Sequence, residues 1–390
     1  MKKLLIVNNN MKIGGVQKSL CNLLWNICGE YDVTLCLFDK NGEYLDDIPD
    51  TVDVIACDSL FRYLGMSQAE CVHLSDTLKR GALALGCRLF GRSKVLRLML
   101  KSQKRLPGRY DAAISYLHNG RQNQLYGGVN EFVLDRVDAD LKIAYLHCDY
   151  LRCGGSNEEN NRLYHEFDRI AACSDGCRDA FLQVLPELRE RCFTARNFHR
   201  YDEIKRLADE ADIEYSHDCF NVLCVARLAH EKGIDRAIRA IKHCRDKGLR
   251  AALHLVGDGA LRTELEALTA ELGLQGAVHF YGERKNPYPY MRGADLLLIS
   301  SFHEAAPMVI DEAACLGLPT LSVKTTSSDE MLKGCGRVCE NSQEGISEAL
   351  ADIISEPSKL NAMKQRLLSA GRSNAAAMQQ FMLLIDSTKA

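Results

Sequence analysis

This chain lacks long apolar runs, an excess of basic residues and the Cys-x-x-Cys pairs that are typical of zinc sites. No stretch approaches the roughly 18 uncharged apolar residues that span a bilayer, and the apolar run at 4–7 is too short for the core of a secretory signal. A formal net charge of −3 gives no general attraction to nucleic acid. We therefore expect a cytoplasmic protein that is not integral to a membrane and has no nucleic-acid partner.

Cysteine is abundant, with 17 residues, yet no Cys-x-x-Cys pair occurs. Several cysteines, such as Cys224, lie in apolar runs, where a free thiol behaves as a small hydrophobic residue. Cys173 with Cys177 and Cys335 with Cys339 have i,i+4 spacing, but no histidine cluster accompanies either pair. The sequence thus predicts reduced structural cysteines and no metal site.

A length of 390 residues favours two domains. Short apolar runs alternate with helical periodicity in both halves, which is typical of parallel sheets covered by helices. The predicted strands are 4–7, 33–38, 52–56, 112–115, 143–146 and 169–173 in the first half, and 222–226, 252–256, 278–281 and 294–299 in the second. The predicted division is a first Rossmann-like domain at 1–197, a linker at 198–218, a second Rossmann-like domain at 219–365 and a C-terminal helix at 366–390 that packs back on the first domain.

One region departs from this alternation. Between Lys79 and Arg109 there are ten Lys and Arg residues and no acid, with Leu96, Leu98 and Met99 interleaved. A basic amphipathic stretch of this kind can lie on an anionic membrane surface. A solvated helix pair on the first domain explains it equally well.

Two glutamates eight positions apart, Glu304 and Glu312, follow the apolar run at 294–299. Pro307 is well suited to the first turn of a helix, and Gly317 is suited to its end, so the pattern predicts a helix over 307–316. Glu304 would then lie in the loop and Glu312 in the helix. The helix N-terminus between them has free N–H groups and a positive dipole end, which suit a phosphate.

Two cations, Arg227 and Lys232, follow the predicted strand at 222–226. The carboxyl ends of strands are where open α/β sheets bind ligands, and an arginine with a lysine suits a diphosphate. Taken alone, they are more simply explained as surface cations. His147 closes another predicted strand, and Gly14 and Gly15 follow the first one, where glycine permits either a tight turn or close approach to a phosphate.

The joint order of these motifs resembles the retaining glycosyltransferases of the GT4 type, which have the GT-B fold, with two Rossmann-like doubly wound domains facing a central cleft. The resemblance covers nearly the whole chain and is strongest over 221–338. The motifs that carry it are Gly14-Gly15-Val16-Gln17, His147, Ala226-Arg227-Leu228 with Glu231-Lys232-Gly233, Val256-Gly257-Asp258-Gly259, Ala294-Asp295 with Ser300-Ser301, and Glu304-x7-Glu312.

The resemblance implies a role for each matching residue. Arg227 and Lys232 would hold the diphosphate of a nucleotide-sugar, Glu312 the ribose hydroxyls, and Glu304 the hydroxyls of the donor sugar near the reacting face. His147 would lie beside the transferred sugar. The implied catalytic residues are Glu304, His147, Lys232 and Arg227. The implied donor-binding residues are Gly14, Gly15, Arg227, Lys232, Gly257, Arg284, Glu304, Ala306, Pro307, Met308, Val309 and Glu312.

The implied reaction moves a sugar from a nucleotide-sugar to an acceptor hydroxyl with retention of anomeric configuration. It needs neither a cofactor nor a metal, although Asp138-Ala139-Asp140 looks like a metal-binding Asp-x-Asp. We expect a UDP-sugar rather than a GDP-sugar as donor. The expected acceptor is a saccharide or a lipid-linked one, in cell-surface polysaccharide or glycolipid assembly at the inner face of the membrane.

Alternatives to the transferase remain open at this point. A nucleotide-sugar epimerase shares the two-domain architecture, and a non-catalytic sugar-nucleotide-binding scaffold could keep the same residues. A glycoside hydrolase is disfavoured because it does not need a diphosphate-binding loop. A dinucleotide dehydrogenase is disfavoured because no strand ends in Gly-x-Gly-x-x-Gly.

The chain departs from the family pattern at two alanines. Ala305 follows the first glutamate and Ala226 precedes the arginine, where the family usually has glycine. Alanine adopts positive φ less readily than glycine. If the family geometry needs positive φ at residue 305, the contacts to the donor sugar must differ here.

Overall fold

The computed structural model describes residues 1–57, 59–334 and 336–386, and their contacts divide them into two compact units. The first unit comprises residues 1–198 together with the residues from 374 onward, and the second comprises residues 199–373. Each unit is built around one parallel sheet.

Alternating strands and helices make up the first unit, as predicted. Its elements up to residue 198 are β1 (Lys3–Asn8), α1 (Gly15–Ile27), β2 (Asp32–Leu37), β3 (Asp53–Ala56), α2 (Arg62–Gly65), α3 (Leu74–Phe90), α4 (Arg92–Ser102), β4 (Tyr110–Ser115), α5 (Val129–Arg136), β5 (Ala139–Leu146), α6 (Glu158–His165), β6 (Arg169–Ala172), α7 (Asp175–Val184) and β7 (Cys192–Thr194). Short 3₁₀ segments lie at Leu45–Asp47, Gln68–Glu70 and Pro186–Arg191.

The second unit follows the same scheme, and the chain then returns to the first. The elements are α8 (Tyr201–Ala208), β8 (Phe220–Val225), a 3₁₀ segment at His230–Lys232, α9 (Ile234–Asp246), β9 (Ala251–Val256), α10 (Arg262–Glu271), β10 (Val278–Gly282), α11 (Tyr288–Gly293), β11 (Leu296–Ile299), α12 (Val309–Cys315), β12 (Thr320–Val323), α13 (Ser328–Met331), β13 (Gly336–Cys339), α14 (Gln343–Ser355), α15 (Pro357–Ser369) and, in the first unit, α16 (Ala375–Asp386).

Both sheets are wholly parallel and wound in two directions from a central strand. The strand orders are β3-β2-β1-β4-β5-β6-β7 and β10-β9-β8-β11-β12-β13. Apolar residues such as Leu4–Val7 in β1 are fully buried because helices cover both faces of a parallel sheet. The prediction of two doubly wound Rossmann-like sheets is confirmed.

Residues 198–218, predicted to be a linker, instead contribute a helix to the second unit. Ile204 and Ala208 of α8 are 2% and 1% exposed and pack with Met291 of α11 and Ile310 of α12. The charged residues of α8 lie on its outer face, and their number obscured the apolar spacing in the sequence. The second unit also includes α15, beyond the predicted boundary at 365.

The C-terminal segment crosses back to the first unit through α16. Phe381, Leu384 and Ile385 are buried in the core that contains Leu24 and Tyr31. The last four residues of the predicted 366–390 helix, 387–390, lie outside the described residues. None of the described helices combines the length and apolar character needed to cross a bilayer.

Candidate functional site

In the second sheet, β8 and β11 are neighbouring strands. The strand that follows β8 in sequence, β9, lies on one side of this pair, and the strand that follows β11, β12, lies on the other. The crevice outside the carboxyl ends of two such strands is where open α/β sheets bind ligands. Two loops meet there, 226–233 after β8 and 300–308 after β11. Arg227, Lys232 and Glu304 all lie in these loops, so the fold brings the predicted charged residues to one edge of the sheet.

Hydrogen bonds join the two loops. The Phe302 N–H donates to Glu231 O at 2.9 Å, and Ser300 Oγ donates to Lys232 O at 3.1 Å. Gly233 has φ of 57°, and a Cβ on it would lie 2.4 Å from Ser300 O. Glycine at 233 is therefore required by its backbone conformation and by the close approach of the second loop.

Lys232 and Glu304 form an ion pair across the loops. Lys232 Nζ lies 2.7 Å from Glu304 Oε1, and Ser301 Oγ donates to the same oxygen at 2.6 Å. The two side chains are 25% and 12% exposed. A lysine has three N–H donors, so Lys232 can bind an anion while it remains paired with Glu304.

Arg227 pairs within its own loop. Its Nη2 lies 2.5 Å from Glu231 Oε1, and the Arg227 side chain is 70% exposed. Burial on its own would raise the pKa of Glu231, but hydrogen bonds from its backbone and from Arg227 outweigh burial, and the pKa is lowered. An exposed pair of this kind contributes little to stability. The guanidinium has further donors that can bind a phosphate.

Glu312 is held differently from Glu304, although the prediction that one lies in a loop and the other in a helix is confirmed. It lies in the first turn of α12, is 4% exposed, and accepts a hydrogen bond from Tyr288 Oη at 3.2 Å. A buried carboxylate needs such donors because it has lost contact with water. Because Tyr288 is neutral and donates a single hydrogen bond, the Glu312 carboxylate can accept further hydrogen bonds from hydroxyl groups.

The helix that carries Glu312 is shorter than the predicted 307–316. It spans Val309–Cys315, and the Ile310 N–H bonds to Pro307 O at 3.2 Å, so Ala306, Pro307 and Met308 form the approach to its first turn. Gly317 ends the helix as predicted, with φ of 73°. The dipole of a seven-residue helix attracts an anion only modestly. The cations Lys232 and Arg227 provide more of the positive charge at this site.

Gly257 has a structural reason to be glycine. Its φ is 141°, and a Cβ would lie 1.9 Å from Ala226 O in the loop after β8. Its N–H donates to Gly282 O at 2.8 Å, which ties the ends of β9 and β10 together. Arg284 is exposed just after β10, and its donor-binding role stays a prediction.

The two alanine departures do not strain the backbone. Among the described residues, only glycines have positive φ. Ala305 and Ala226 therefore occupy ordinary conformations, and the loop at 300–308 is built without a left-handed residue at 305.

His147 lies in the first unit, just after β5. Its ring centroid is 4.6 Å from Tyr116 and 5.5 Å from Tyr145. Burial, with a further contribution from the nearby His118, lowers the pKa of His147 to about 3. The imidazole is therefore neutral at physiological pH, and its Nε2 has no hydrogen-bond partner.

His118 is a residue that the sequence argument missed. Parallel pairing aligns Ser115 with Ala144, so the register carried three residues further places His118 beside His147. Burial lowers the pKa of His118 to about 4, and its Nδ1 also has no partner. A signal was present in the sequence, since Ile-x-Tyr-Leu-His occurs at both 114–118 and 143–147.

Gly14 and Gly15 begin α1 in the first unit without a backbone need for glycine. Gly14 has φ of 172°, which is extended, and a Cβ on Gly15 would meet nothing within 4 Å. No tight turn explains these glycines. Their predicted close approach to a phosphate stays a prediction.

No metal cluster is present in the parts of the chain that the structure describes. The 16 described cysteines are free thiols, and Cys173 Sγ lies 3.8 Å from Cys177 Sγ. Cys335 lies outside the described residues. In the Asp-x-Asp motif at 138–140, the carboxylate of Asp140 forms an ion pair with Arg109.

Residues 208–367 match the family model described as "Glycosyl transferases group 1". Among curated relatives, the lipopolysaccharide core biosynthesis glycosyltransferase LpsD of Rhizobium meliloti (strain 1021) is 32% identical over 169 residues, which are 41% of this chain and 46% of LpsD. The lipopolysaccharide glucosyltransferase WaaG of Escherichia coli (strain K12) is 34% identical over 131 residues, 32% of this chain and 34% of WaaG. The aligned segment thus spans less than half of either relative.

Solved structures extend the likeness in fold to the whole chain. The structure of Anabaena Alr3699/HepE in complex with UDP and glucose has a TM-score of 0.66 at 20% identity, covering 97% of this chain and 95% of that one. The structure of WaaG, a glycosyltransferase involved in lipopolysaccharide biosynthesis, has a TM-score of 0.61 at 17% identity, covering 99% and 100%. Residues 208–367 are therefore similar to the glycosyl transferases group 1 family, and the chain as a whole has the GT-B fold.

Proposed function

We propose that this protein is a retaining glycosyltransferase of the GT4 type, which transfers a sugar from a nucleotide-sugar to an acceptor hydroxyl. The observation that carries the proposal is the Lys232–Glu304 pair at the carboxyl ends of β8 and β11, inside the segment that matches the family model. Arg227 lies at the same edge of the sheet.

In the proposed reaction, the bond between the anomeric carbon and the diphosphate oxygen breaks. A bond to the acceptor oxygen forms on the same face of the sugar, the acceptor proton is released, and the nucleoside diphosphate leaves with added negative charge. Lys232 and Arg227 stabilise that charge as preorganised donors. Glu304, oriented by Lys232 and Ser301, positions hydroxyls of the transferred sugar, and Glu312 binds the ribose.

A UDP-sugar is the proposed donor, and a saccharide or lipid-linked saccharide is the proposed acceptor. The likeness to Alr3699/HepE, which was solved with UDP and glucose, supports the donor. The names of LpsD and WaaG, both lipopolysaccharide enzymes, support the acceptor class. We further propose that the protein cations make a divalent metal unnecessary.

Peripheral membrane association is supported first by an apolar stripe on α3. Leu74, Leu78, Leu85 and Leu89 are 75%, 65%, 54% and 64% exposed. Their spacing of four, seven and four residues places them on one face of the helix. Four exposed leucines on one face are unusual for a surface that meets only water.

The neighbouring helix α4 supplies positive charge. Lys94, Arg97 and Lys101 share an exposed face with Leu98, which is 61% exposed. Asp76, the acid at the start of α3, is engaged by Tyr63 and Arg62. Glu131, Asp135 and Glu166 line a concavity together with Arg97 and Lys101. Apolar side chains with adjacent cations are complementary to an anionic lipid surface, so we propose that α3 and α4 contact the inner face of the membrane.

A transfer assay tests the proposed activity. A thermal-shift screen with UDP-, GDP-, ADP- and CDP-sugars at equal concentration selects the donor, because a ligand that binds more tightly raises the melting temperature further. We expect the UDP-sugar to give the largest shift, and transfer to a saccharide acceptor to continue in excess EDTA with retention measured by NMR of the anomeric proton. No transfer and no shift with any donor would overturn the proposal.

A further inference from the structure

A buried arginine stands behind the Lys232–Glu304 pair. Arg236 lies in the first turn of α9 and is 5% exposed, although arginine is almost never buried without a partner. One of its Nη atoms donates to Ser300 O at 3.1 Å and to Asn341 Oδ1 at 2.8 Å, while the other, also buried, has no partner. Both of these hydrogen-bond acceptors are neutral. Burial lowers the pKa of Arg236, and the charge of the neighbouring Asp235 offsets this only in part.

The contacts of Arg236 converge on the loop that carries Glu304. Its guanidinium carbon lies 4.8 Å from the centroid of the Phe302 ring. His230 is stacked on that ring at 5.2 Å with an interplanar angle of 14°. Phe302 is 41% exposed, so this contact with Arg236 and His230 holds an otherwise solvent-facing ring in place.

Asn341 completes the network from the loop after β13. Its Nδ2 donates to Phe302 O and to Lys324 O, each at 3.1 Å. Arg236 is thus connected to the 300–304 segment through Ser300 O, through the Phe302 ring and through Asn341. Glu304 follows two residues after Phe302.

We infer that Arg236 is a positioning residue of the transferase site: by fixing Ser300 and Phe302, it sets the place of Glu304 opposite Lys232. This inference rests on the proposed function. Burying an arginine beside neutral acceptors gives no advantage in stability over a well-packed apolar side chain, since buried ionic groups are often replaceable at no cost. Holding the Glu304 loop is the effect that an apolar residue at 236 could not reproduce.

The experiment compares Arg236→Met with Arg236→Lys and with Arg239→Met as a matched control. Arg239 lies on the same helix α9 and is exposed. We expect Arg236→Met to melt near the wild-type temperature but to lose about 10- to 100-fold in kcat, because a misplacement of about 1 Å can cost that much. Arg236→Lys keeps a donor for Ser300 O and should recover part of the loss, whereas Arg239→Met should match the wild type.

Two readouts separate positioning from a general structural effect. Affinity for UDP should stay within about threefold, because Glu312 is held by Tyr288 and not by Arg236. Hydrogen exchange at the Phe302 amide, bonded to Glu231 O, should be faster in Arg236→Met only. Wild-type kcat together with wild-type exchange in Arg236→Met would overturn the inference.

A second variant keeps the test decisive if Arg236→Met does not fold. Asn341→Ala removes an exposed side chain and with it the bonds to Phe302 O and Arg236, so it should fold and lower kcat. Wild-type kcat in that variant would overturn the inference. If the wild-type protein transfers no sugar, the proposed function fails, while the exchange comparison still decides whether Arg236 holds the loop.

Discussion

Three carboxylates at the second-unit site differ in what holds them, and this difference separates their proposed roles. Glu304 and Glu231 each neutralise a cation, Lys232 and Arg227 respectively. Glu312 accepts from the neutral Tyr288 in a buried setting. The first two therefore set the charge around the proposed phosphate site, whereas Glu312 is suited to neutral hydroxyl donors such as those of the proposed ribose.

Lys232 is the residue whose loss should be most visible in turnover. Lys232→Ala removes a donor that is proposed to bind the leaving diphosphate, and it also releases Glu304, so kcat should fall by about 100-fold or more. Steady-state kinetics with the selected nucleotide-sugar measures this. Lys242→Ala, on the exposed side of α9 and paired with Asp246, is the control and should keep wild-type kcat. An undiminished rate in Lys232→Ala would remove it from this role.

Glu312 should matter for binding of the nucleotide itself. A hydrogen bond to a charged group contributes about 1.5–3 kcal/mol, so Glu312→Ala should weaken UDP binding by about 10- to 100-fold. Glu312→Gln keeps the volume and one acceptor oxygen and should weaken it less. Isothermal titration calorimetry with free UDP measures both, and wild-type affinity in Glu312→Ala would count against the ribose role.

At the scale of elements, strands with a continuous apolar run could be predicted, even those of four residues such as β3 and β6, and elements without such a run could not. The runs at 4–7 and 252–256 are almost wholly apolar, and β1 and β9 were found there. β7 has three residues, and β12 alternates Thr320 and Ser322 with apolar residues, so neither gave a clear apolar run. The small polar side chains of β12 are buried in the sheet, which a periodicity argument does not anticipate.

The same limit applies to the site. Arg227, Lys232 and Glu304 could be placed because they follow strand ends, and the register of a parallel sheet fixes where those ends meet. Arg236 could not, since its importance comes from contacts with Ser300 and Asn341, which are 64 and 105 residues away. Such long-range side-chain contacts leave no periodic trace in the sequence.

A prediction at the scale of elements concerns the proposed contact between α4 and an anionic membrane. Replacing Lys94, Arg97 and Lys101 together with glutamine should weaken binding to vesicles containing phosphatidylglycerol by about 100-fold, since each charge contributes about 1 kcal/mol near an anionic surface. Co-sedimentation at fixed ionic strength measures it. Wild-type binding by the triple variant would exclude this face as the contact.

The control for that experiment lies on α9 of the second unit. Glutamine at Arg239 and Lys242 of α9 and at Lys247, just beyond its end, removes the same number of positive charges from another part of the surface. The control should bind vesicles as the wild type does. Equal loss in both triple variants would indicate a general charge effect and not a docking face.

At the scale of the whole molecule, the path of the chain makes the stability of the first unit depend on its C-terminal segment. The chain builds the first unit to Phe198, completes the second unit by Ser373, and then returns α16 to the first. Arg169 donates to Leu384 O at 2.6 Å, and Lys2 pairs with Asp386 at 2.6 Å. The stability of the first unit thus depends on residues that follow the entire second unit.

Substitution of Phe381 tests whether the stability of the first unit depends on α16. It is fully buried and packs edge-on against Tyr31 at 5.8 Å and Phe198 at 6.2 Å. Phe381→Ala should cost about 3–5 kcal/mol of unfolding free energy, whereas Met382→Ala, at a side chain that is 48% exposed, should cost little. Calorimetry with and without UDP should show the loss in the transition that UDP does not raise, since UDP is proposed to stabilise the second unit. Equal melting of the two variants, or a loss confined to the UDP-sensitive transition, would contradict the assignment of α16 to the first core.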